Sequence, residues 1–170
     1  MIAALPIATF PLLLIAAAIK DAVSMTIPNW ISLGLVGGFA VVAPFVMSPA
    51  DLGVHLLVGL GALAAGFSLF AVNRIGGGDA KLFAAAALWL GWAALPEFLF
   101  WMAIIGGLFC LVLLAARKAA FMLPVAFGDG PLGRLLDPKG DVPYGVALAA
   151  GGLIAFPQSQ IFFLTIGAGG

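Results

Sequence analysis

The chain has 170 residues, of which 64% are hydrophobic and only 8% are charged, whereas roughly 25% of the residues in a soluble domain are charged. Its mean hydropathy of +1.24, together with 23 glycines and 11 prolines, fits helices that lie in a lipid bilayer. This composition excludes a soluble fold, and the formal net charge of zero provides no basic surface for nucleic acid. The single cysteine, Cys110, excludes an internal disulfide and a zinc site built from four thiolates.

Long stretches without charged residues divide the sequence into candidate membrane-spanning helices. A helix needs about 20 apolar residues to cross the hydrocarbon layer of a bilayer. We therefore predict an all-α, polytopic integral membrane protein, a bundle of six transmembrane helices. The predicted helices lie near 2–19, 30–47, 52–72, 80–96, 98–116 and 143–165. No repeat or long linker separates them, so residues 1–170 are expected to form a single transmembrane domain.

The positive charges indicate an orientation in the membrane. All 7 lysine and arginine residues occur around the connections after the first, third and fifth predicted helices. Because positively charged loops stay on the cytoplasmic side, these connections are predicted to be cytoplasmic and both termini extracytoplasmic. The connection 119–141 can lie along the cytoplasmic interface. The first helix has no basic residue before its apolar run, so it is expected to be retained rather than removed as a signal peptide.

Two aspartates occupy unusual positions in this pattern. Asp21 follows the first predicted helix and Asp79 precedes the fourth, so both are predicted at the cytoplasmic side at similar depth. An ionisable side chain near hydrocarbon is costly and suggests a function. Two adjacent carboxyl groups cannot both ionise, so one can activate water while the protonated one hydrogen-bonds to a scissile carbonyl. The alternative is ordinary interfacial pairing of Asp21 with Lys20 and of Asp79 with Lys81.

Glycine and proline residues flank the two acids. The triplet from Gly76 to Gly78 comes directly before Asp79 and permits a sharp turn and the close approach of a second peptide chain. A flexible loop would also explain three glycines. Pro28 and Asn29 precede the second predicted helix, where proline stiffens the turn and asparagine can cap the helix. Capping alone would account for this pair.

In combination, these features resemble the type IV prepilin peptidase family, whose members are GxGD-type intramembrane aspartyl proteases. The resemblance rests on Asp21 followed by Ile27-Pro28-Asn29, on GGGDAKL at 76–82, on PYGVALAAG at 143–151 and on the six predicted helices. It implies that Asp21 and Asp79 are the catalytic pair and that the site opens toward the cytoplasm. The chain lacks the cysteine-containing N-terminal insertion of the bifunctional, methylating members. It therefore resembles the short, peptidase-only branch associated with Flp-type pili and tight-adherence secretion.

The resemblance also suggests residues that bind substrate or shape the site. These residues are Gly76, Gly78, Lys81, Pro28, Asn29, Pro143, Tyr144 and Gly145. Tyr144 would equally fit an ordinary interfacial anchor. Lys81 would fit either a counter-charge for the acids or contact with lipid phosphates. His55, near the outer end of the third predicted helix, is expected to be structural.

The implied function is a membrane-embedded aspartic endopeptidase that removes the short leader of Flp-type prepilins in the bacterial cytoplasmic (inner) membrane. The expected partners are prepilin or pseudopilin substrates, the lipid bilayer and other pilus-assembly proteins, and no metal or organic cofactor is expected. One alternative is a small proton-coupled transporter with Asp21 and Asp79 as its relay. A relay, however, favours acids at several depths or near the midplane. The other alternative is an inactive assembly scaffold of a pilus or secretion system.

Overall fold

The computed structural model describes residues 4–122, 130–137 and 140–167. The helices are α1 (Ala4–Ser24), α2 (Asn29–Val46), α3 (Pro49–Ala71), α4 (Gly77–Met122), α5 (Pro131–Leu136), α6 (Gly145–Ala155) and α7 (Gln160–Gly167). A short 3₁₀ turn, Phe156–Gln158, joins α6 to α7. These described residues contain no strand, and the prediction of an all-α protein is confirmed.

Among the residues that the structure describes, three helices are long and apolar enough to cross a membrane, namely Asn29–Val46, Pro49–Ala71 and Gly77–Ala120. The helices on either side of Ser159 are bent by 50° and add a fourth crossing if they form one broken span. The predicted total of six crossings stays a prediction, as does the assignment of residues 1–170 to one domain.

The long helix α4 is not a straight rod. Gly91, with φ of 63° and ψ of −171°, interrupts its helical backbone. The rings of Phe83 and Phe98 stack with their centroids 5.7 Å apart, whereas a straight helix would hold these residues about 22 Å apart along its axis. The chain therefore folds back at Gly91. Residues 77–90 form the first limb of α4 and residues 92–122 form its second limb.

This reversal corrects the predicted boundary between the fourth and fifth helices. The sequence placed that boundary at Glu97, because a charge interrupts the apolar run there. In the structure Pro96 and Glu97 lie within α4, a little over one turn into its second limb. The prediction is wrong at this point because charges mark polar positions, whereas a reversal needs a backbone conformation that glycine adopts readily.

His55 of α3 supports the reversal at Gly91. Its Nδ1 lies 2.8 Å from the carbonyl oxygen of Leu88, a group close to the break in the helix. The His55 ring is buried and stacks on Phe39 with a centroid distance of 5.8 Å. A Cβ atom at position 91 would lie 2.4 Å from the His55 ring. These contacts agree with the structural role that the sequence predicts for His55.

Aromatic side chains fill the centre of the bundle. The ring centroid of Phe10 lies 4.6 Å from that of Phe156 and 5.4 Å from that of Trp89. The indole N–H of Trp89 donates a 2.8 Å hydrogen bond to the carbonyl oxygen of Leu35. Close packing and interhelical hydrogen bonds of this kind are what hold helices together in lipid, where the solvent is itself apolar.

The ends of several helices differ from the predicted ones. Helix α1 continues to Ser24, so Asp21 lies within its last turns instead of after them. The predicted helix 143–165 is broken by the 3₁₀ turn that contains Pro157. Within the predicted connection 119–141, α4 continues to Met122 and α5 occupies Pro131–Leu136. Residues 123–129 and 138–139 of this connection, and residues 2 and 3 of the first predicted helix, lie outside the described residues.

Candidate active site

One cavity brings together residues from distant parts of the chain. Its volume is about 740 Å³, and it lies between the ends of α1 and α3, the start of α4 and the segment before α6. Asp21 and Asp79 both line it, and their carboxyl groups are close enough for an electrostatic interaction. The other lining residues are Met25, Phe70, Asn73, Arg74, Ile75, Gly76, Asp141, Val142, Pro143 and Tyr144.

The start of α6 holds the carboxyl group of Asp21. The backbone N–H of Gly145 donates a 2.7 Å hydrogen bond to Oδ2 of Asp21. The N–H groups of the first helical turn have no partner within their own helix, so they can bind a carboxylate. Asp21 is only 5% exposed. Gly145 therefore has a defined contact with one of the two acids.

Asp79 lies in the first turn of α4, with one carboxyl oxygen left without a hydrogen bond. The backbone of Gly76 hydrogen-bonds to the Asp79 carboxyl group. The other oxygen, Oδ1, is buried and has no hydrogen-bond partner in the described residues. A buried oxygen of this kind is costly unless it is satisfied. Oδ1 thus has a hydrogen-bonding capacity that no described residue uses.

The glycines before Asp79 are required by packing. A Cβ atom on Gly76 would lie 3.1 Å from Oδ2 of Asp79. A Cβ atom on Gly78 would lie 3.0 Å from the Cβ atom of Ile27. Both distances are tighter than ordinary Cβ contacts. The triplet therefore acts as a closely packed turn at the cavity, and flexibility alone does not explain it.

Neither aspartate is paired with its neighbouring lysine in the described residues. Nζ of Lys81 donates a 2.9 Å hydrogen bond to Oδ1 of Asn29. The side chain of Lys20 is exposed, and the partner of Asp21 is the Gly145 N–H group. The structure thus does not support simple interfacial ion pairs as the explanation for these two acids.

Three of the predicted site residues lie away from the cavity. Lys81 and Asn29 line a separate groove between α2, α3 and α4. Pro28 is the residue before α2, and no side chain caps that helix. The expectation that Asn29 caps α2 is therefore wrong, because its side-chain oxygen is bound to Lys81. Pro143 and Tyr144, by contrast, belong to the cavity wall.

The buried arginine Arg117 was not singled out from the sequence. Its Nε donates a 2.9 Å hydrogen bond to the carbonyl oxygen of Leu135. Its Nη1 and Nη2 donate to the carbonyl oxygens of Gly140 and Asp141, at 2.9 and 2.8 Å. Arg117 therefore fixes the chain segment that continues into the cavity wall. In the sequence, an arginine at the end of a helix indicates only the cytoplasmic side.

Two further charged residues of the cavity were also not predicted. Arg74 follows α3, and Asp141 precedes α6, and both line the cavity beside the aspartate pair. No group of three or more histidine, cysteine, aspartate or glutamate side chains that could hold a metal ion occurs in 4–122, 130–137 and 140–167. The cavity contains two interacting carboxyl groups, and such a pair can act as acid and base on a bound water molecule.

The structure thus presents two carboxyl groups to one cavity within an apolar helical fold. The sequence model of the type IV leader peptidase family matches residues 8–111, which include both aspartates. The chain therefore belongs to this family, as the resemblance of its motifs predicts.

Curated relatives agree with this membership. Proteins named prepilin leader peptidase/N-methyltransferase in Burkholderia pseudomallei, strains 1026b and K96243, are each 36% identical to the chain over 96 residues. The matched part is 56% of this chain and 26% of each relative, so the chain spans about a quarter of the length of these relatives. No solved structure gives a significant match.

Proposed function

We propose that this protein is a membrane-embedded aspartic endopeptidase that removes the leader from type IV prepilins of the Flp type at the cytoplasmic face of the inner membrane. The observation that carries the proposal is that Asp21 and Asp79 line one cavity in a member of the leader peptidase family. Prepilins or pseudopilins are the proposed substrates, and other pilus-assembly proteins are proposed partners.

The proposed reaction uses the two carboxyl groups in different protonation states. One carboxylate takes a proton from water as the water oxygen attacks the carbonyl carbon of the scissile peptide bond. The other, protonated carboxyl group hydrogen-bonds to the carbonyl oxygen and stabilises the tetrahedral intermediate. The C–N bond then breaks, and the carboxyl group that took the proton from water gives it to the leaving nitrogen. The buried Oδ1 of Asp79 and the Gly145 contact of Asp21 support this assignment of both acids to the reacting centre.

The proposed activity can be tested by co-expression with candidate prepilin and pseudopilin precursors. The mass of the pilin is measured before and after co-expression, and fragmentation identifies the new N-terminus. We expect a mass loss equal to that of the leader. Unchanged precursors in every case, together with proton flux in liposomes that contain the purified protein, would favour the transporter alternative instead.

The predicted topology can be tested by cysteine labelling. Cys110 is first replaced by serine, and single cysteines are then placed at Arg74, Lys118, Asp51 or Glu97. A membrane-impermeant maleimide added to intact cells should label positions 51 and 97 and should label positions 74 and 118 only after the membrane is opened. The reverse pattern would place the cavity on the outer face and contradict the proposed site of cleavage.

Gly145→Ala is expected to reduce leader removal by about tenfold or more while the protein remains inserted and folded. The new Cβ atom would lie 2.8 Å from Oδ2 of Asp21 and 2.9 Å from Cδ1 of Ile27, so the carboxyl group must shift. The matched control is Gly53→Ala, because a Cβ atom there would meet nothing within 4 Å. Rates of cleavage in proteoliposomes measure the effect, and equal rates for both variants would contradict it.

Arg117→Lys is expected to lower cleavage by about tenfold, although it preserves the positive charge. A lysine cannot reproduce the planar set of three donors that binds the carbonyl oxygens of Leu135, Gly140 and Asp141. The neighbouring Lys118→Gln, at an exposed position, serves as the control and should cleave at the normal rate. Full activity of Arg117→Lys would show that the segment does not depend on this residue.

A further inference from the structure

A second concave surface lies on the opposite side of α4 from the candidate active site. It is an apolar groove of about 540 Å³ between α2, α3 and the first limb of α4. Asp79 faces the cavity and Lys81 lines the groove. Residues two positions apart in an α-helix are about 200° apart around its axis, which explains why these two side chains lie on opposite sides of α4. The groove opens sideways, since Leu60 on its wall is 62% exposed.

The groove is polar and cationic at one end only. Lys81 and Asn29 are hydrogen-bonded to each other at this end. Ser32 lies one helical turn beyond Asn29, is buried, and forms no hydrogen bond through its hydroxyl group with a described residue. Within the same part of the chain Lys81 forms no ion pair, so its charge is not neutralised. The remaining walls are mostly leucine, valine and alanine.

Beyond the residues that line the opposite end of the groove, aromatic side chains connect the three helices. Phe39 stacks on His55 at 5.8 Å and packs edge-on against Trp89 at 5.9 Å, which joins α2, α3 and α4 at this level. From the polar end the groove runs along residues 29–36 of α2 and 81–88 of α4, a length of about 10 Å. One leaflet of hydrocarbon is about 15 Å thick. The groove therefore lies within a single leaflet.

We propose that this groove binds one phospholipid with an anionic headgroup, drawn from the leaflet on the side of the candidate active site. The phosphate contacts Lys81 and Ser32, and one acyl chain lies along the leucine-lined walls. A charged ammonium group near the membrane surface favours an anionic headgroup, and a phosphate oxygen satisfies the free hydroxyl group.

The shape of the groove distinguishes a lipid from a protein helix as its occupant. A transmembrane helix is about 10–12 Å wide and must continue through about 30 Å of hydrocarbon. The lining of the groove extends only about 10 Å, from the level of Asn29 and Lys81 to that of Val36 and Leu88, which is too short for a spanning helix. An acyl chain is narrower and ends within its own leaflet. The proposal does not depend on peptidase activity, so it stands or falls separately from the proposed function.

The test measures lipid bound to the full chain, purified in detergent, by native mass spectrometry. We expect phosphatidylglycerol to bind at least tenfold more tightly than phosphatidylcholine, and Lys81→Gln to remove most of this preference. Lys118→Gln is the matched control, because Lys118 is exposed and does not line the groove. General attraction of lysines to anionic lipid would affect both variants equally, and equal losses would overturn the proposal.

A second variant tests the apolar part of the groove without changing charge. Leu60→Trp fills the space for the acyl chain and is expected to weaken phosphatidylglycerol binding about tenfold. Leu108→Trp, at an exposed position that does not line the groove, should bind normally. Thermal stability measured for each variant distinguishes lost binding from unfolding.

The remaining outcomes of this test identify other occupants. Normal binding in folded Leu60→Trp, or binding of inorganic phosphate as tight as that of the lipid, would overturn the lipid proposal. A photoreactive group at position 60 should cross-link to lipid in native membranes. Cross-linking to a prepilin or to a second copy of the chain instead would assign the groove to a protein partner and contradict the proposal.

Discussion

Asp21→Asn and Asp79→Asn are each expected to reduce leader removal by about 10³-fold or more, with the protein still inserted and folded. Asparagine has nearly the size of aspartate, and its side-chain oxygen can still accept the Gly145 hydrogen bond at position 21. It cannot take a proton from water or give one to a leaving group. If the two carboxyl groups act as a unit, the double variant should be no worse than either single one.

A control and a direct measurement make this prediction sharp. Asp51→Asn changes an acid at the start of α3 that hydrogen-bonds to Ser48 and does not line the cavity. It should cleave at close to the normal rate. The measurement is the initial rate of appearance of the mature pilin mass in proteoliposomes. If one of the variants at positions 21 and 79 keeps more than a few per cent of the rate, that residue is not part of a catalytic pair.

Gly91→Ala is expected to destabilise the folded protein by about 3 kcal/mol or more, through two separate effects. Its φ of 63° is unfavourable for a residue with a side chain. Its new Cβ atom would also lie 2.4 Å from the ring of His55, which is buried and cannot move freely. The protein should therefore unfold at a markedly lower temperature in detergent or fail to accumulate in the membrane.

Gly107→Ala is the matched control for this substitution. Gly107 also lies in α4, where a Cβ atom would meet nothing within 4 Å. Alanine should be neutral there or should stabilise the helix by about 0.5–1 kcal/mol. The melting temperatures of the two variants in one detergent give the comparison. Similar values for both would show that the reversal of α4 does not require glycine.

The sequence predicted the helical fold because composition and charge spacing report directly on contact with lipid. Two of the predicted helices, 30–47 and 52–72, coincide closely with α2 and α3. The sequence prediction misplaced the reversal within α4, because nothing in the neighbouring sequence distinguishes Gly91 from the other glycines among the 23 in the chain. The contact of Gly91 with His55 depends on how α3 packs against α4, and that packing is not encoded at either position alone.

The candidate site was predictable in part. Asp21 and Asp79 could be identified, because an acid at the end of an apolar helix is rare and costly. The position of Lys81 could have been derived, because a residue two positions after Asp79 in a helix lies on the opposite face. The three hydrogen bonds of Arg117 could not be derived from the sequence, because their acceptors are backbone carbonyl oxygens, which every residue possesses.

The hydrogen bond between Gly145 and Asp21 joins residues 124 positions apart in the chain. During synthesis both acids leave the ribosome well before this amide, so a growing chain contains the pair before it contains the group that orients Asp21. If the chain acts as a peptidase, competence is acquired only when α6 docks, which follows the synthesis of both acids. The order of residues along the chain would thus delay any such activity until α1 to α6 have all been made.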